Sequence, residues 1–138
     1  MCYMDNDILN PDLWVQYAQD DYSAAVCLAE AYNPHIPRTV CFLCQQSVEM
    51  ILKAYLIAKN GTRPKDHDHS LLLRECRQYS SDFDRFIVAC STLKTYITAT
   101  RYPSDKCITK SDMERALNDS YEILEFTKSK LRELGYEF

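Results

Sequence analysis

One segment constrains the fold more than any other. Residues 37–61 read PRTVCFLCQQSVEMILKAYLIAKNG and carry the start and stop signals of one long helix. Pro37 suits the first helical position, where a missing N–H costs nothing, and Asn60-Gly61 suits an exit into a left-handed turn. Between them one apolar row runs through Val40, Cys44, Val48, Ile51 and Tyr55, and a second through Cys41, Leu43, Leu52 and Leu56. Two rows make a wide stripe, which predicts the central helix of a bundle rather than a surface helix. Gln45, Gln46, Glu49 and Lys53 interrupt that stripe. Polar groups in a central helix must be paired, solvated or functional.

Composition narrows the class. A chain of 138 residues suffices for one domain with a core. Two glycines are too few for the repeated turns of a sandwich or barrel. A net charge of −4 does not favour broad affinity for nucleic acid, although a local basic patch is compatible with it. No stretch reads as the ~18 uninterrupted apolar residues of a membrane span. The opening MCYMDNDILNPD is acidic and lacks the apolar run of a secretory signal. Seven scattered cysteines without such a signal read as reduced thiols, so a cytoplasmic location is expected.

The remaining helices follow from caps and periodicity. After a tail at residues 1–9, Asn10-Pro11-Asp12 opens a first helix with a cap, a proline and an acid facing the dipole. Its stripe is Trp14, Ala18, Asp21, Ala25, Leu28 and Tyr32, and it stops at Asn33-Pro34. A polar loop, 61–68, precedes a short third helix over about 70–78. Ser81-x-x-Asp84 resembles a capping box and opens a fourth helix containing Phe83, Phe86, Ile87, Cys90, Leu93 and Ile97. Either Thr109-x-x-Asp112 or Ser111-x-x-Glu114 caps the last helix, with Gly135 past its end. The expectation is all-α: an antiparallel up-and-down bundle of about five helices, forming a single domain over 10–138.

Several groups carry chemistry. Cys41-x-x-Cys44 has the spacing of half a zinc site, but it lies inside a helix with no second pair, so core packing is the better reading and no metal is expected. Asp21 falls on an apolar stripe, where a carboxylate either reaches solvent or points into a groove between helices. Glu49 and Lys53, spaced i, i+4, read as a surface ion pair when taken alone. Arg63 and His69 are close enough in sequence to serve ribonuclease chemistry, the histidine moving protons and the arginine stabilising phosphorane charge. Arg101-Tyr102-Pro103 sets a bidentate anion donor beside a stacking ring; the alternative is that Arg101 caps a helix end.

Taken together these residues resemble the HEPN family, the higher-eukaryote and prokaryote nucleotide-binding domain. The resemblance runs from about Trp14 to Leu134. Its landmarks are Ala18-x-x-Asp21, the Gln45-Gln46-x-x-Glu49-x-x-x-Lys53-Ala54 core, His69-x-Leu71 and Arg101-Tyr102-Pro103. It implies a helical bundle that pairs as a homodimer. It also implies either a nucleotide-binding role beside a minimal nucleotidyltransferase or a ribonuclease role of the toxin–antitoxin type. Ribonuclease members carry Arg-x(4–6)-His late in the domain, and this chain has no histidine after His69. The resemblance therefore favours the non-ribonuclease branch with an Arg-Tyr-Pro loop: a non-catalytic module for a nucleotide or RNA, without cofactor or membrane attachment. Arg101, Tyr102, His69, Lys53, Asp21, Gln46 and Glu49 would line its site. The alternatives are a metal-independent ribonuclease using His69 and Arg63, or a structural dimerisation domain with the polar stripe of the second helix as its seam.

Overall fold

In the computed structural model, residues 8–103 and 107–138 are described, with Thr98 described by its backbone alone. All secondary structure among them is helical: α1 (Pro11–Ala31), α2 (Pro37–Asn60), α3 (His69–Tyr79), α4 (Ile87–Lys94), α5 (Tyr96–Arg101) and α6 (Lys110–Glu133). A 3₁₀ segment, Ser81–Phe86, joins α3 to α4. Most of the expected tail, 1–7, and part of the loop after Arg101, 104–106, lie outside the described residues.

Local chemistry sets the ends. Asn10 Oδ1 accepts from the Asp12 amide at 3.0 Å, and Pro11 fills the first turn of α1. Gly61 takes φ +74° and donates its amide to the Ile57 carbonyl, closing α2 in a conformation that favours glycine. Thr109 and Asp112 exchange side-chain-to-backbone bonds in a full capping box, which selects the first of the two caps read from the sequence.

α2 packs against α1, α3, α5 and α6 and forms the axis of the bundle. Val40, Cys44, Val48, Ile51, Leu52 and Leu56 are fully enclosed. Each such side chain contributes roughly 1.5–3 kcal/mol on burial before entropy is counted. By length and hydropathy α2 also meets the threshold for a membrane span, but 78% of that window is buried inside the bundle. Below it, Tyr55, Phe83, Phe126 and Phe86 form a chain of ring contacts with centroids 4.8–5.1 Å apart, which ties the 3₁₀ segment to α2 and α6.

Two boundaries differ from the expectation. The expected fourth helix is divided into the 3₁₀ segment, α4 and α5. Ser80, not Ser81, caps the 3₁₀ segment through the Asp82 amide. At Thr95 the amide reaches back three residues to the Thr92 carbonyl, and the hydroxyl donates to that same oxygen at 2.7 Å. This tightened turn separates α4 from α5.

Candidate functional site

Three of the four polar residues that interrupt the α2 stripe, Gln45, Glu49 and Lys53, are buried. Lys53 is 1% exposed and Glu49 6%, and Lys53 Nζ lies 3.1 Å from Glu49 Oε2. The surface ion pair expected from spacing is thus a buried one, because neighbours pack around α2 and leave this turn no solvent face. Lys53 Nζ also sits 5.9 Å from the centroid of the Trp14 ring.

His67 completes this cluster from the loop after α2. Its Nδ1 lies 3.0 Å from Glu49 Oε2 and 3.3 Å from Lys53 Nζ. A carboxylate only accepts and an ammonium only donates. Nδ1 therefore donates to Glu49 when it carries a proton and accepts from Lys53 when it does not. The ring itself remains largely in solvent.

Two residues on, His69 is fully buried. Its Nε2 lies 2.7 Å from the Gln45 carbonyl oxygen, which can only accept, so Nε2 carries the proton. Nδ1 is buried without a partner. Burial lowers the histidine pKa below 6.5, more than the Gln45 hydrogen bond raises it. His69 is thus a neutral strut between α3 and α2.

A cleft of about 180 Å³ opens beside the cluster, lined by Gln45, Glu49, His67, Ile97 and Arg101. Gln45 is 3% exposed, and its side-chain oxygen has no hydrogen-bond partner. Arg101 ends α5 and is exposed. Among the described residues it donates to no helix-end carbonyl. Arg38, from the first turn of α2, does that work by donating from Nη1 to the Thr100 carbonyl at 2.8 Å. Arg101 also lines a wider outer groove of about 570 Å³ with Arg38, Thr39 and Tyr102.

The residues singled out by sequence are therefore divided. Glu49 and Arg101 meet in the cleft, with Lys53 enclosed behind Glu49, while Tyr102 lines the outer groove. His69 lies beneath Gln45, away from the opening. Asp21 is half-buried on α1, with its pKa raised by burial and then by Asp20, and it lines neither compartment. Gln46 is half-buried on α2 and also lines neither. Arg63 lies 5.6 Å over the Trp14 ring, in a separate apolar groove with Leu13, Tyr17 and Met50. Sequence reading missed Gln45 as a cleft group, and with it His67 and Arg38. The only local signal for His67 was its place two residues before a helix that docks on α2.

The cysteines behave as small core residues or exposed thiols. Cys41 and Cys44 are enclosed, and burial raises the Cys44 thiol to about 11. All six described cysteines are free, and no group of three metal-ligating side chains occurs among the described residues.

A family model described as the HEPN domain matches residues 12–131. The chain belongs to the HEPN family. Its bundle is similar to the crystal structure of TT1696 from Thermus thermophilus, with a TM-score of 0.74 and 25% identity over 88% of this chain and 98% of that one. It is also similar to ST0689, an archaeal HEPN homologue, with a TM-score of 0.68 and 22% identity over 88% of this chain and 97% of that one. No curated protein matches the chain by sequence. Family membership places this HEPN chain among nucleotide-binding or ribonuclease-type modules in general.

Proposed function

We propose that this HEPN chain is a non-catalytic nucleotide-binding module, with Arg101 as the anion contact of the cleft between α2, α5 and the loop before α3. One observation supports this most strongly. Arg101 has no hydrogen-bond partner among the described residues and faces a cleft whose carboxylate, Glu49, is already neutralised by Lys53. A guanidinium facing a compensated acid suits an anionic ligand. The chain carries no nucleotidyl-transfer motif of its own, so the reading includes a separate minimal nucleotidyltransferase as partner and a homodimer as the working unit.

The ribonuclease alternative changes its residues. A general base must reach the proton it removes, and His69 does not. His67 does face the cleft, with Glu49 positioned to orient it. If RNA is cleaved, His67 and not His69 is the base.

Titration of ATP and a short RNA against wild type and Arg101→Ala tests the proposal. Loss of binding in a normally folded variant supports it. RNA cleavage abolished by His67→Ala would replace it with the second reading.

A further inference from the structure

Trp14 is the one tryptophan of the chain and does not line the cleft. Its Nε1 donates to the Ile8 carbonyl at 2.7 Å, so the only donor of the indole is engaged and the ring is held in place. Lys53 Nζ stands 5.9 Å from the ring centroid and the Arg63 guanidinium carbon 5.6 Å. Lys53 is enclosed and paired with Glu49, whereas Arg63 is exposed on the loop after α2. Of these two cations, Arg63 is the one that a molecule arriving from solvent can meet.

Beside the ring lies an open groove of about 270 Å³, lined by Ile8, Leu13, Trp14, Tyr17, Met50 and Arg63. All but Arg63 are apolar or aromatic. Tyr17 is 48% exposed and presents a second ring at the opening. Met50 supplies an unbranched thioether that adapts to the edge of a ring. The volume falls just below the roughly 300–1,000 Å³ of drug-sized sites, so the groove suits one ring with a short chain.

We propose that this groove binds a small aromatic carboxylate, its ring against Trp14 and Tyr17 and its carboxylate on Arg63. The groove shares no lining residue with the cleft, and the proposal does not depend on the nucleotide reading. Attraction between a guanidinium and a ring does not use up the five N–H donors, which can still grip a carboxylate at two points. Arg63 is the one cation among the described lining residues, which matches a single negative charge better than a phosphate. The indole is already fixed by Ile8, so little ordering cost falls on the protein when a ring packs against it.

Emission from Trp14 reports occupancy directly, since no other tryptophan contributes. The probes are 3-phenylpropionate, its neutral amide and ring-free propionate, each titrated into the millimolar range. The proteins are the full chain, Arg63→Gln and Tyr17→Ala, with a melting curve on each. In wild type the aromatic acid should change Trp14 emission saturably and bind about tenfold more tightly than the amide. Propionate should give no response. Arg63→Gln should bind acid and amide alike, and Tyr17→Ala should weaken both. Both positions are exposed, so both variants should melt as wild type does. No saturable response to the aromatic acid in wild type overturns the site. Equal binding of acid and amide in wild type, or an undiminished preference in Arg63→Gln, overturns the carboxylate contact. A Tyr17→Ala variant that binds as tightly as wild type overturns the ring contact. A response that appears only after Asp5→Asn and Asp7→Asn means that the chain's own acids hold Arg63, and it overturns the proposal as well.

Discussion

His69 donates from Nε2 to the backbone carbonyl of Gln45 across 2.7 Å, inside the bundle, and this bond joins α3 to the polar turn of α2. It also determines how the histidine responds to acid. Burial holds its pKa below 6.5, so between the folded value and 6.5 the unfolded chain binds more protons than the native one. Stability should therefore be complete above pH 6.5 and fall as the pH drops below it. Asp21 and Asp119, both raised above 3.8 by burial, act with the opposite sign in more acidic solution. Urea melts from pH 7.5 to 5 should show the loss in wild type and a flatter profile in His69→Gln. His69→Ala should lose about 2–3 kcal/mol at neutral pH through the cavity and the lost bond.

Lys53→Ala leaves the Glu49 carboxylate buried with only His67 to compensate it. Breaking a buried pair from one side costs roughly 3–5 kcal/mol, while removing both charges costs far less. Denaturant titration of Lys53→Ala and of the double variant Lys53→Met, Glu49→Gln should show that recovery. A loss below about 0.5 kcal/mol in Lys53→Ala is what an exposed helical pair would give.

Helix ends were legible because their signals are local. Pro37, Gly61 and the Asn10-Pro11 cap act on their own turn of chain, and α1 and α2 end where those residues predict. The break at Thr95 was not legible, since it depends on a threonine hydroxyl turning back on the preceding turn in a segment that is otherwise helical in pattern. The site was legible only in part. Glu49 and Lys53 stood out as polar groups on an apolar stripe, but their burial depends on helices that pack from elsewhere in the chain. His67 reaches Glu49 across 18 positions and Arg38 reaches Thr100 across 62, so neither role has a sequence-local trace.

Thr109 and Ser111 were equal candidates for the cap of α6, and the structure selects Thr109. Thr109→Ala should cost about 1 kcal/mol and Ser111→Ala almost nothing in thermal denaturation. The reverse order would mean that α6 begins two residues later.

Assembly is open to direct measurement. Sedimentation equilibrium at micromolar concentration should give about twice the chain mass of 16.1 kDa if two copies form the working unit. A single species at the chain mass would remove the homodimer from the proposed function. It would leave the cleft intact, because every residue assigned to the cleft comes from one chain.

The central claim is that Arg101 binds an anionic ligand while Arg38 closes the helix end. Titrating ATP against wild type and Arg101→Ala by calorimetry, with melting curves on both, tests it most directly. The account predicts a loss of about tenfold to a hundredfold in affinity with little change in melting temperature. An Arg101→Ala variant that melts as wild type does and binds ATP as tightly would contradict it.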